Sequence, residues 1–368
     1  MKICLINFNC YCLFNPASAA PMGGAELEMY TLARCFARKN HHVSVVVADW
    51  GQSAVEEYEG VAVHKSIQLG ATNYLQQLII FWKILARINA DVYISTGAGM
   101  EVGAIAAFCR FNHKKYLYRT AHDMDCDESF IHSTGLAGRA YAYGLHHAYR
   151  IVTSVQAHTN LLSQHHPSLV SKVAGINLAL ELPEKGGDVQ KNTLLWVSRC
   201  ETWKQPELFL DLAKALPEQK CVMIAPAQKH RPELFLKIKK EAQAIANLEF
   251  IDFVPFKNIQ PYFEQAKVFV NTSQAEGFTY TLIQCGAAKT PVVYLSVNPN
   301  EVITKNSCGF WANGDTAVLQ EQVKTLLQDK KVWKQKSEGI HAYVTMNHAV
   351  EVVGKQWENL FAKIGASS

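Results

Sequence analysis

Apolar residues fall in short continuous runs separated by helix-length amphipathic stretches. ICLINF at 3–8, VSVVVAD at 43–49, DVYIS at 91–95, YLYRT at 116–120 and IVTSV at 151–155 have the length and composition of buried strands. Residues 9–22 read as a loop, and 24–39 as a helix with Leu27, Tyr30, Leu32, Ala33 and Phe36 on its apolar face. The pattern breaks at 176–193, where INLALELPEKGGDVQKNT brings proline, a glycine pair and charges. It then restarts with strands at 194–198, 221–225, 249–254, 268–272 and 291–295. Helices are predicted between them at 206–216, 232–245, 258–266 and 279–288, and the tail 316–365 is mostly helical.

Strand and helix in alternation define a parallel sheet with helices on both faces. The expected fold class is α/β, with two Rossmann-like doubly wound domains facing across a cleft. The boundaries read from the pattern are 1–178 for an N-terminal domain, 179–193 for a linker and 194–345 for a C-terminal domain. A helical tail, 346–368, is expected to pack back on the first domain.

Composition narrows the classes. The 368 residues are 49% hydrophobic and 18% charged, which suits a large interior. A net charge of +4, with basic residues spread out, argues against nucleic acid and suits small anions. Ten cysteines without a C-x-x-C or a regular framework suggest a reduced, cytoplasmic protein. The N-terminal MKICLINFNCYCLFNPASA has signal-peptide features, but Asn7, Asn9 and Asn15 interrupt it, so ICLINF is read as the first strand. No run approaches the ~20 apolar residues of a membrane span.

The chemistry concentrates in the second half. In AEGFTYTLIQ, Gly277 permits close approach of a ligand, and the helix that follows offers free N–H groups from about Phe278 to Thr281. Such a helix end holds phosphate, and Glu276 beside it accepts hydrogen bonds from sugar hydroxyls. Taken alone, the stretch reads more readily as an acidic helix start after a turn. A second segment, LLWVSRCETWKQPELFLDLAKALP, sets Arg199 directly after a strand and Lys204 just before a helix. Ligands of open α/β sheets lie at the carboxyl ends of the strands, and two cations there suit a diphosphate.

With those residues in place, the sequence resembles the retaining glycosyltransferases of family 4, which have the GT-B fold. VSRCETWKQPELFLDLAKALP is similar to that family's strand–Arg–loop–Lys–helix segment, and EGFTYTLIQCGAAKTPVV to its E-G-F-to-P-V-V signature. NSCGFWANGD resembles the glycine-containing turn that follows. The first half matches more loosely, through MGGAE at 22–26 and the strand ending in His122-Asp123.

The resemblance implies that Arg199 and Lys204 hold the donor diphosphate and that Glu276 contacts the donor sugar. Backbone N–H groups at Phe278 and Thr279, beside Gly277, would bind sugar or phosphate. His122 would approach the sugar from the opposite domain, with the Gly23-Gly24 loop near the transfer site. It further implies front-face transfer with retention, no metal or other cofactor, a nucleotide-diphosphate sugar as donor, and a glycan or lipid-linked acceptor. Surface polysaccharide assembly at the inner face of a membrane, with peripheral membrane association, is the expected setting. No base, sugar, linkage or oligomeric state follows from the pattern.

Three departures stand out. The usual second glutamate, which accepts from the nucleotide ribose, is Gln284; loss of an ionic hydrogen bond costs about 1 kcal/mol, roughly fivefold in donor affinity. Ser198 and Gln205 replace glycines that flank the Arg and Lys. The neutral Gln284 also motivates one alternative, a non-catalytic sugar-nucleotide-binding partner subunit; another GT-B enzyme such as an epimerase is the alternative within enzymes. Elsewhere, HDMDCDE at 122–128 has the spacing of a D-x-D metal site but is read as a loop near the acceptor. YLQQLIIFWKILARINA at 74–90 is read as a packed core helix in preference to a membrane-surface one. The histidine pairs at 41–42, 146–147 and 165–166 are read as surface or packing residues.

Overall fold

A computed structural model of the chain describes residues 1–18, 22–183, 189–228 and 232–366, and all counts and absences refer to these residues. The chain divides into two compact units, Met1–Glu181 with Val350–Ser368, and Leu182–Ala349. Of the segment 179–193 read as a linker, residues 184–188 with the Gly186-Gly187 pair lie outside the described residues, as do 19–21 of the first loop and 367–368 of the tail.

The first unit is built on β1 (Lys2–Ile6), β2 (His42–Val47), β3 (Val55–Tyr58), β4 (Val61–Lys65), β5 (Val92–Thr96), β6 (Lys115–Arg119), β7 (Arg150–Thr153) and β8 (Val173–Gly175). The sheet order is β3-β4-β2-β1-β5-β6-β7-β8, parallel throughout except for β3 against β4. β1 runs at its centre, with every residue after Lys2 buried, because a parallel strand covered on both faces has no solvent side. The β3–β4 hairpin is absent from the sequence reading. Its two-residue turn, Glu59-Gly60, has φ of 50° and 79°, the mirror-image geometry that matches strand twist. Within the loop expected at 9–22, Tyr11–Phe14 forms a short helix that buries Tyr11, Leu13 and Phe14.

Helices Gly24–Arg38 and Val350–Gly365 belong to this unit and meet through Phe36, whose ring lies edge-on to Trp357 and Phe361 at 5.8 and 5.2 Å. The Val350 amide donates to Leu180 O. Helices Met100–Phe111 and Leu136–His147 approach still more closely: a Cβ on Gly103 would lie 2.3 Å from Ala140 O. Backbone cannot yield as a side-chain tip can, so Gly103→Ala is expected to cost about 1–3 kcal/mol in urea unfolding. An unchanged midpoint would show that the two helices are not held at this spacing.

The helix Tyr74–Ile88 packs on the core, as read, through Phe81 and Leu85 with Trp82, Ile84 and Ile88 partly buried against it. Its first turn stands clear, with Tyr74 and Leu75 72% and 69% exposed. No described helix is long and apolar enough to cross a membrane.

The second unit holds β9 (Thr193–Val197), β10 (Cys221–Ile224), β11 (Leu248–Ile251), β12 (Ala266–Asn271), β13 (Val292–Tyr294) and β14 (Gly309–Trp311). Their order is β11-β10-β9-β12-β13-β14, all parallel. NSCGFWANGD, read as a turn, contains the edge strand β14; Gly309 is required there because a Cβ would meet Val292 O at 1.8 Å. The chain enters at β9, builds outward through β10 and β11, then returns to β12 on the other side. That reversal opens a crevice at the carboxyl ends of β9 and β12.

Candidate active site

Arg199, Lys204 and Glu276 all lie on loops leaving this switch point, the first two after β9 and the third after β12. Ser198 and Cys200 donate backbone N–H to Ile224 O and Pro226 O, which fixes the loop after β9 against the loop after β10. Lys204 ends a single turn, Thr202–Lys204, and the turn is pinned from β12: Thr272 Oγ1 donates to Lys204 O at 2.6 Å and accepts from Trp196 Nε1 at 3.0 Å. The Gln274 amide donates to Trp203 O at 2.9 Å. Two loops 72 residues apart are thereby bonded into one wall.

On that wall the Lys204 ammonium is hydrogen-bonded to the Glu276 carboxylate, and the side chains are only 8% and 10% exposed. Ser273 Oγ donates to the same Oε1 at 2.7 Å. The ammonium also sits 3.8 Å from the centre of the Trp203 ring. Burial holds the Lys204 pKa below the usual lysine range, opposed by Glu276 and reinforced by the neighbouring Arg199 charge. The ammonium expected to hold a diphosphate and the carboxylate expected to face a sugar are therefore bound to each other. Arg199 is different: it is exposed, and among the described residues it has no carboxylate partner. Gln205 takes the left-handed conformation, φ 49° and ψ 55°, that a glycine in its place adopts without strain.

The helix after Glu276 runs Tyr280–Ala287, one residue inside each predicted end. Thr279 is its N-cap, accepting from the Leu282 amide and bonded to Tyr294 OH at 2.9 Å. The Phe278 ring stacks on His348 at 4.7 Å. The helix Lys330–His348 clamps the same element: His341 Nδ1 bonds Gly286 O at 2.9 Å, and Ser337 Oγ donates to Lys289 O at 2.8 Å. Gln284 is 5% exposed. Its side-chain amide carries donors and an acceptor.

The first unit has its own switch point, between β1 and β5. Gly23 caps the helix Gly24–Arg38 there. A cavity of about 120 Å³ opens beside it, lined by Asn7, Asn9, Glu26, Ser95, Thr96 and Glu101. Asn7 Nδ2 lies 3.4 Å from Glu26 Oε1, and burial raises the Glu101 pKa above the carboxylate norm. His122 is exposed at the carboxyl end of β6, and its amide donates to Asp125 Oδ2 at 3.0 Å. Asp125 also accepts from Ala98 and Ala121 amides, Asp123 pairs with the buried His158 at 3.2 Å, and Asp127 accepts from Ser129. The acids of HDMDCDE are thus turned onto the protein, and no described group of three His, Cys, Asp or Glu is placed to hold a metal ion.

Sequence reasoning missed Ser273, Trp203, Asn7, Glu26 and Glu101. Glu26 stood within the MGGAE run and Ser273 three residues before Glu276; for Glu101, half-buried by tertiary packing, no local signal existed.

Comparison with known proteins agrees with this architecture. The family model described as Glycosyltransferase Family 4 matches residues 22–181, and that described as Glycosyl transferases group 1 matches 191–329. The chain belongs to the family-4-like glycosyltransferases and has the GT-B fold. By sequence, no curated protein matches it. By structure it is similar to HepE of Anabaena in complex with UDP and glucose, at 15% identity over 98% of this chain and 99% of that one, with a TM-score of 0.75. It is also similar to the sucrose-phosphate synthase of Thermosynechococcus elongatus, at 14% identity over 100% and 99% of the chains, with a TM-score of 0.75. A glycosyltransferase of Rickettsia africae matches at 14% identity over 100% and 99%, with a TM-score of 0.74.

Proposed function

We propose that this transferase moves a hexose from a nucleotide-diphosphate sugar to a glycan or lipid-linked acceptor, with retention of configuration. The observation that carries the donor reading is the unpaired Arg199 beside the buried Lys204–Glu276 pair, at the switch point and next to a helix start. HepE has been solved with UDP and with UDP-glucose, which supports a donor of this type. Cleavage of a sugar–phosphate bond leaves negative charge on the departing diphosphate. Arg199, Lys204 and the amides at Phe278 and Thr279 stabilise that charge from fixed positions. Glu276 orients sugar hydroxyls, with Lys204 and Ser273 holding its carboxylate. Front-face attack by the acceptor then requires no carboxylate nucleophile and no metal ion. His122 contacts the transferred sugar, and the Gly23-Gly24 loop serves the transfer site. The setting we propose is cytoplasmic, at a membrane's inner face, in surface polysaccharide assembly.

The test is incubation of the purified chain with UDP-glucose and other nucleotide sugars, following both thermal stability and release of nucleoside diphosphate. Ligand binding raises the midpoint, and turnover releases diphosphate. Binding without turnover on any acceptor favours the non-catalytic subunit that the neutral Gln284 suggests. No shift with any nucleotide overturns both readings.

Gln284→Glu is expected to tighten the donor about fivefold, since a charged acceptor contributes roughly 1 kcal/mol more than a neutral one. Calorimetric titration of the nucleotide measures this, and an unchanged affinity would remove Gln284 from the ribose.

A further inference from the structure

The first unit has a second cavity, of about 610 Å³, at the amino ends of β6 and β7, the sheet edge opposite the Gly23-Gly24 loop and His122. Five cations line it, Arg110, Lys114, Lys115, Arg150 and Lys172, together with three histidines. Among the described residues none of the five is within ion-pair distance of a carboxylate. Asp91, at the start of the neighbouring strand, spends Oδ2 on the Lys2 amide at 2.8 Å.

These cations are held in place. Lys115 Nζ and Arg150 Cζ lie 4.4 and 4.8 Å from the centre of the Tyr149 ring. Lys172 Nζ donates to His146 O at 2.6 Å, and Arg110 Nη1 lies 2.8 Å from His147 Nε2. The bland explanation is that they answer the C-termini of the helices Met100–Phe111 and Leu136–His147. Each C-terminus is equivalent to about half a negative charge, so the two account for roughly one of the five. The rest repel one another; burial and then Arg150 hold the Lys172 pKa below the usual lysine range.

We propose that this cavity is an anion site, separate from the transfer site, that takes a di- or polyphosphate group. Diphosphate chemistry fits because several converging cations match several charged oxygens, and the volume admits a substituent beyond the phosphates. The group is carried by a soluble phosphorylated compound or by a lipid headgroup. Phe111, 81% exposed next to Arg110, would enter the membrane in the second case.

The test titrates inorganic pyrophosphate into the full chain and into Lys115→Gln/Arg150→Gln/Lys172→Gln. The variant is expected to lose one binding event by at least about tenfold, leaving untouched any event that belongs to Arg199 and Lys204. In parallel, flotation compares phosphatidylcholine vesicles with and without a polyprenyl diphosphate. Loss of the pyrophosphate event alone identifies a soluble compound. Loss of diphosphate-lipid-dependent flotation, with the same loss in Phe111→Ser, identifies a headgroup. If the triple variant does not fold, Arg110→Gln/Lys114→Gln carries the comparison, with Arg110 on the exposed side of the cavity. Equal pyrophosphate and vesicle binding by wild type and variant, or no binding by wild type to either, overturns the proposal.

Discussion

Lys204→Met is expected to reduce transfer by about 10²–10³, the usual effect of removing one preorganised stabiliser of developing charge. It should also cost about 3–5 kcal/mol, because the carboxylate of Glu276 remains buried without its partner. Steady-state kinetics and urea unfolding read the two effects separately. Glu276→Gln preserves shape and should lose activity to a similar degree, and near-normal transfer would remove Glu276 from the site. That variant also changes the pH profile of stability. In the wild type the Lys204 pKa is already below its usual 10.5, with burial the main cause and Glu276 opposing it. The unfolded chain therefore binds the proton more tightly, so the penalty is full below the folded pKa and disappears as pH rises toward 10.5. Without the Glu276 charge the folded pKa drops further and the window widens. Glu276→Gln should gain more stability than wild type when the pH is raised. Parallel profiles would show that the ammonium does not sense the carboxylate.

Glu28→Ala is the second large effect expected. Arg119, at the end of β6, is fully buried, and its Nη2 lies 2.7 Å from Glu28 Oε1 on the helix Gly24–Arg38. Nη1 donates to Ile176 O at 2.6 Å. A guanidinium cannot shed its proton as a lysine can, so loss of Glu28 leaves a permanent buried charge, at about 3–5 kcal/mol. Glu28→Leu/Arg119→Met removes both charges and should recover most of that loss. A double variant as unstable as Glu28→Ala would show that shape, not charge, sets the cost.

The strands of both sheets were legible because parallel strands covered on both faces must be apolar throughout, as ICLI and VMI are. The β3–β4 hairpin was not, since β3 is an edge strand with half its residues wet and Glu59-Gly60 is a weak turn signal. β8 and β14 are three residues each, too short for any period to show. At the site, Arg199, Lys204 and Glu276 could be picked out by their positions after strands or before helices. That Lys204 and Glu276 bond directly could not, because the contact depends on β9 and β12 being neighbours. The acids at 123–127 have the spacing of a ligand set but were read as a loop, and in three dimensions their carboxylates turn onto amides, a histidine and a serine.

The first unit needs the last helix of the chain to cover Phe36. During synthesis, which delivers the N-terminal segment first, that surface waits through the whole of Leu182–Ala349 before Trp357 and Phe361 arrive. The second unit, continuous in sequence, can finish folding while the first is still open. A chain ending before Val350 would therefore have a complete second unit and a first one with an uncovered apolar face, the form a chaperone or protease would meet.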